Sequence, residues 1–135
     1  MHPQWLLVSQ TSKPMVTPSG PVAPQLLLFD ARTLDAQAGR SAGSSGATLS
    51  MFWEDNPAKT TSAYTVPAWS RCGNYIACGS ASGLVNVWDI RCCTAARKAC
   101  QSLRVCEERV LVADWTTGTT LVTASTLGKI GTVCW

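Results

Sequence analysis

Histidine is nearly missing from this chain: His2 is the only one in 135 residues. A nucleophilic enzyme needs a base fixed beside its nucleophile, and the second residue of a terminus is a poor place to fix one. No catalytic set is therefore expected. Charge is sparse at 14%, with a net of +3, and Arg97-Lys98 is the only adjacent basic pair. Nucleic-acid binding gathers Lys and Arg on one face or stripe, so nucleic acid is not an expected partner. No apolar run approaches the roughly 18 residues of a membrane span, and none is expected. Leu6-Leu7-Val8, behind His2 and Gln4, is too short for a secretory leader. The seven cysteines lack the C-x2-4-C pairs of structural zinc sites, so neither metal nor cofactor is expected. An odd cysteine count without a leader fits a compartment where thiols stay reduced. A cytoplasmic protein is expected, with the nucleus as the alternative.

What the chain does have is a repeat. Trp69-Ser-Arg-Cys-Gly-Asn-Tyr-Ile-Ala-Cys-Gly-Ser-Ala-Ser-Gly-Leu-Val-Asn-Val-Trp88-Asp89 returns, diluted, at Trp115 to Trp135. In each copy a strand ending in Trp-Ser or Trp-Thr leads through a glycine turn (Gly73, Gly118) to a second strand closing on Ser80 or Ser125. A second turn with Gly83 or Gly128 comes next, and then a third strand ends in Trp. Trp69 to Trp115 is one period of 46 residues, and Ser80 to Ser125 one of 45. A fainter copy precedes them: Leu27-Leu28-Phe29-Asp30-Ala31-Arg32 has the chemistry of Asn86-Val87-Trp88-Asp89-Ile90-Arg91, with Trp5 to Ser9 as the strand before it.

This period and pattern resemble the WD40 repeat, a four-stranded antiparallel blade of about 40 to 45 residues. The resemblance implies an all-β fold: a partial propeller of about two and a half to three blades, not closed, since closure takes typically four to eight. Residues 1–34 are expected to form a partial blade interrupted by a loop with Pro14, Pro18, Pro21 and Pro24. Residues 35–50, rich in Gly, Ser and Ala, read as a flexible insertion. One blade is expected over 51–90, with Thr48 to Trp53 as its outer strand, and another over 91–135. Pro67 removes a ladder donor, so the inner strand beside it should be short or bulged. Ala95 to Ala99 has helical character, but the repeat calls for an outer strand at Ala99 to Cys106. Phe29, Trp69, Ser80, Trp88, Asp89, Trp115, Ser125 and Trp135 are the expected repeat-core residues. The copy departs from the family's hydrogen-bond relay: Ser82 stands where Asp is usual and no histidine lies near Tyr64 or Arg109. Trp135 falls two residues later after its glycine than Trp88 does, which predicts a bulge in the last strand.

Cys78-Gly-Ser-Ala-Ser-Gly83 looks like a phosphate loop, yet Leu84 to Trp88 continues as another strand, where such a loop requires a helix. It reads as a tight turn. Core packing accounts for Trp69, Trp88, Trp115 and Trp135, and leaves Trp53 as the aromatic available for contacts.

A WD40 resemblance implies a non-catalytic scaffold that binds protein or peptide partners. It also implies that the remaining blades come from the full-length chain or another subunit. The loops that gather on the family's docking face correspond here to Tyr64, Ser82, Arg109, Thr126 and Lys129, with Arg109 and Lys129 suited to acidic or phosphorylated peptides. Residues 26 to 135, notably Leu26 to Leu34, Val110 to Trp115 and Thr132 to Trp135, are similar to the propeller of autophagy-related sixteen-like proteins. That resemblance implies recruitment of adaptors during autophagosome formation. The alternatives are a WD40 subunit of a ribosome- or RNA-associated complex and an adaptor of dynein or a ubiquitin ligase.

Overall fold

The computed structural model describes residues 5–10, 16–17, 20–21, 25–30, 49–52, 65–92 and 96–134. Its strands are β1 Trp5–Gln10, β2 Val16–Thr17, β3 Gly20–Pro21, β4 Gln25–Asp30, β5 Leu49–Phe52, β6 Ala68–Trp69, β7 Tyr75–Gly79, β8 Leu84–Asp89, β9 Ala96–Lys98, β10 Gln101–Arg104, β11 Val110–Trp115, β12 Thr120–Ser125 and β13 Ile130–Cys134. One short 3-10 turn, Ile90–Cys92, comes after β8.

These strands form three main sheets, ordered β1-β4-β5-β9, β6-β7-β8-β10 and β11-β12-β13, and β2 with β3 makes a small hairpin. The middle sheet is antiparallel throughout. Both of its faces are covered. Along β7, Ile76 and Cys78 turn to the first sheet while Ala77 between them turns to the last. Along β8, Trp88 turns one way and Val85 and Val87 the other. Two-sided burial explains why Tyr75-Ile-Ala-Cys and Val85-Asn-Val-Trp read as near-continuous apolar runs rather than alternating ones.

Two cores result, one in each gap. Between the first and middle sheets lie Leu26, Leu28, Met51, Ile76, Cys78 and Trp88, with Trp69 packed at the margin. Between the middle and last sheets lie Ala77, Val85, Val87, Val110, Ala113, Trp115 and Leu121. Tyr75 and Trp115 meet across that second gap with ring centroids 6.2 Å apart. Trp88 is fully buried and is the largest such side chain among the described residues. Burying a large apolar side chain contributes about 2 to 3 kcal/mol.

Sheets stacked face to face could be a sandwich, but the innermost strands decide otherwise. Val66, just ahead of β6, bridges Val112 of β11 in parallel, and the Val66 N–H donates to the Leu111 carbonyl at 3.2 Å. The middle and last sheets therefore touch along their first strands, which run the same way, as neighbouring blades do around an axis. The fold is a partial WD40-type β-propeller.

Several details differ from the sequence reading. Leu49–Phe52 pairs antiparallel with β4, from Gln25↔Phe52 to Leu28↔Leu49. It is an inner strand of the first sheet, between β4 and β9, instead of an edge of the middle one. The strands of the middle sheet run from Ala68 to Arg104, and those of the last from Val110 to Cys134, so sheets and the ranges 51–90 and 91–135 do not coincide. Ala96 to Lys98 is a strand, not a helical turn, and it pairs in parallel with β5. The stretch after the 3-10 turn thus reaches back to the first sheet before β10 returns to edge the middle one. Pro67 has the expected consequence: β6 is two residues long and begins immediately after it.

The last strand also differs. Its ladder with β12 runs without a break from Thr120↔Cys134 to Ala124↔Ile130, and the irregularity lies instead between Val110 and Val112 on β11. Leu121 faces Val133, as Ile76 faces Trp88. Val133, five residues after its glycine like Trp88, holds the repeat-core position expected of Trp135. Trp135 itself lies outside the described residues, as do Trp53 and Tyr64, and of Phe29 only the backbone is described, opposite Leu6.

Candidate interaction face

Ser80 and Ser125 recur because each ties its own turn. The Ser80 N–H donates to the Leu84 carbonyl at 2.9 Å, and its Oγ accepts from the N–H of Leu84 at 3.1 Å and of Ser82 at 3.3 Å. Ser125 repeats this: its N–H donates to the Lys129 carbonyl at 2.9 Å, and its Oγ accepts from the Lys129 N–H at 3.2 Å. Gly83 at φ +82° and Gly128 at φ +75° supply the left-handed residue before the third strand.

These turns and the 105–109 loop meet at one edge. The Val105 and Cys106 N–H groups donate to the Gly83 carbonyl at 3.0 and 3.4 Å, Val110 N–H to the Ser80 carbonyl at 3.0 Å, and Thr126 N–H to the Arg109 carbonyl at 3.0 Å. Of the residues read from sequence, Ser82, Arg109, Thr126 and Lys129 all belong to this cluster, with Thr126 and Lys129 exposed and Ser82 and Arg109 half-buried.

Its charge is more mixed than the sequence suggested. Lys129 Nζ lies 2.6 Å from Glu108 Oε1, which holds the Glu108 carboxyl below, and the Lys129 ammonium above, their ordinary values. Arg104 Nη1 donates to the Ser82 carbonyl at 3.2 Å and reaches Glu107 Oε2 at 3.4 Å. Arg104, Glu107 and Glu108 were not among the residues singled out from sequence. Glu108 and Lys129 are 21 residues apart, and only the pairing of the 105–109 loop with the Ser125 turn brings them together. The edge therefore presents three basic and two acidic side chains beside hydroxyls.

The opposite edge carries a second polar cluster. Arg91 pairs with Asp89 at 2.7 Å and donates to the Tyr75 hydroxyl at 2.9 Å, so the repeated Asp-x-Arg spacing clamps the strand end to β7. Cys72 is exposed, and Ser70 Oγ at 3.2 Å lowers its thiol pKa, with the Asn74 backbone and Arg91 adding to the effect. Cys78, inside the first core, is pushed up to about 12 by burial. Among the described residues no group of three or more His, Cys, Asp or Glu is placed to hold a metal ion, and no helix is long and apolar enough to cross a membrane.

Two four-stranded sheets and a three-stranded one, the last two touching along parallel inner strands and joined by loop turns at one edge, make up a partial WD40-type propeller fold. Solved structures agree. The chain is similar to a chain of the mitotic checkpoint complex, with TM-score 0.56 and 18% identity over 82% of this chain and 28% of that one. It is similar to the β-propeller domain of Cps50 (Swd1) from Myceliophteria thermophila, with TM-score 0.58 and 15% identity over 84% and 29%. It is also similar to Hsv2 from Kluyvelomyces marxianus, with TM-score 0.53 and 12% identity over 93% and 35%. The chain thus spans about 28 to 35% of the chains it matches. No family model matches the sequence, and no curated protein does.

Proposed function

We propose that this chain serves as a non-catalytic, cytoplasmic protein-interaction scaffold, docking peptides on the edge formed by residues 80–83, 105–109 and 125–129. The observation that carries the reading is the joining of three loops from two neighbouring sheets, through backbone hydrogen bonds, into one edge with exposed cations and hydroxyls. An edge preorganised in this way lowers the ordering cost of binding on the protein's side, and alternating charges favour peptides that carry acidic groups at fixed spacing. Similarity of residues 26 to 135 to the autophagy-related sixteen-like propeller supports adaptor recruitment in autophagosome formation as the process.

An array of acidic and phosphorylated peptides, probed with the chain and followed by calorimetry on each hit, tests the reading. Arg109→Glu together with Lys129→Glu should weaken binding by at least about 1 kcal/mol, since charge-assisted bonds contribute roughly 1.5 to 3 each. Unchanged affinity would move the docking site off this edge.

A further inference from the structure

The 105–109 loop brings two adjacent acids to two cations of the proposed docking edge, and the two pairs differ. Glu107 Oε2 lies 3.4 Å from Arg104 Nη1, with the Glu107 side chain 84% exposed. Glu108 Oε1 lies 2.6 Å from Lys129 Nζ, with the Glu108 side chain only 21% exposed. The other Glu108 oxygen, Oε2, is buried and accepts no hydrogen bond. A loose pair in water contributes little and yields its cation at small cost. Separating a largely buried pair instead leaves a carboxylate that water reaches poorly, without its counter-charge.

Glu108 is also held in place through its backbone. Its carbonyl accepts from the Cys106 thiol at 3.1 Å, and packs with the Cys106 carbonyl against the side of Gly83 where a Cβ would stand. Next along the chain, the Arg109 carbonyl accepts from the Thr126 N–H, and the Val110 N–H donates to the Ser80 carbonyl, each at 3.0 Å. These bonds join the loop to both neighbouring turns, so the backbone carries Glu108 away from Lys129 only by breaking them. An acid arriving at Lys129 therefore meets a fixed like charge beside it, which opposes binding.

We propose that Glu108 is a specificity-determining residue of this edge, selecting peptides in which an acidic side chain is accompanied by a cationic one over peptides that are acidic alone. The inference rests on the loop docking proposed above and names the chemistry of its partner. The peptide's acid pairs with Lys129 and its cation with Glu108, so four charges of alternating sign meet and none is left uncompensated. In an extended peptide, side chains two residues apart lie on one face, which puts both charges on the side that meets the edge. Glu107 imposes no such demand, because its carboxylate is already solvated.

The probes are two labelled peptides with capped ends, Ser-Glu-Gly-Lys-Ser and Ser-Glu-Gly-Gln-Ser, titrated into the chain and followed by NMR. The unaltered chain should bind the first at least about threefold more tightly, a factor of the size one partly exposed ion pair supplies. Glu108→Gln should abolish that preference, strengthening the purely acidic peptide and weakening the other. Glu107→Gln removes the same charge one residue away and should leave the preference intact, which separates pairing from overall charge. Equal affinities for the unaltered chain, a preference that survives Glu108→Gln, or one that Glu107→Gln also abolishes would overturn the inference alone where Lys129→Gln still weakens both peptides. Absence of binding by either peptide, or binding indifferent to Lys129→Gln, would overturn the inference and the docking reading together.

Discussion

At the scale of single residues, Gly83 and Gly128 make a matched pair. Both lie at positive φ in the same turn, yet a Cβ at Gly128 would meet nothing within 4 Å, whereas one at Gly83 would collide with the Cys106 carbonyl and crowd that of Glu108. Gly128→Ala should cost about 1 to 2 kcal/mol, the left-handed penalty alone. Gly83→Ala should cost at least twice as much in urea denaturation, and equal losses would mean that the 105–109 loop does not cross that turn. Trp88→Ala, in a fully buried site, should cost about 3 to 5 kcal/mol, against about 0.5 or less for Ile130→Ala at the surface. The thiols offer a third comparison: Cys72, exposed and with its pKa lowered first by Ser70, should alkylate readily near neutral pH. Cys78 should resist until the chain unfolds. Ser70→Ala should slow the Cys72 reaction, as mass spectrometry of timed samples would show.

At the scale of elements, the turns were the most legible part of the sequence. Ser80 with Gly83, and Ser125 with Gly128, combine a side-chain cap with a positive φ, and few residue types can do either. Pro67 was equally readable, because a missing donor shortens a strand wherever it falls. Trp135 misled, since the fold repeats a position rather than a residue type, and Val133 holds that position against Leu121. The excursion of β9 to pair with β5 was hidden because a three-residue strand has no periodicity to read and its partner lies far away in sequence. The Glu108–Lys129 pair could be read only once the register was known. Its titration has a definite sign: Glu108 is held below its ordinary value, so the pair is intact above the unfolded carboxyl range near 4.3 and is lost as pH falls through the lower folded value. Lys129 is held above its ordinary value, so the pair is intact below the unfolded lysine range near 10.4 and is lost as pH rises through the raised one. NMR titration of the Glu108 side chain should show the lowered midpoint, and Lys129→Ala should return it to the ordinary range.

At the scale of the molecule, stability comes from faces meeting faces. The middle sheet is covered on both sides, while the last sheet leaves Val112 and Ile130 exposed on its far face and has no fourth strand among the described residues. Each repeat of such an architecture draws its stability from its neighbours, so stability should be graded across the chain. The central claim is that the middle and last sheets are copies of one unit, the middle one carrying a fourth strand and the last one none among the described residues. Residue-resolved hydrogen exchange on the intact chain tests it directly, since Val85 and Val87 serve as internal references for Ile130 and Thr132. The account predicts strong protection at Val85 and Val87 and exchange close to open-chain rates at Ile130 and Thr132. Equal protection at the two pairs, or a β13 that exchanges as slowly as β8, would contradict it.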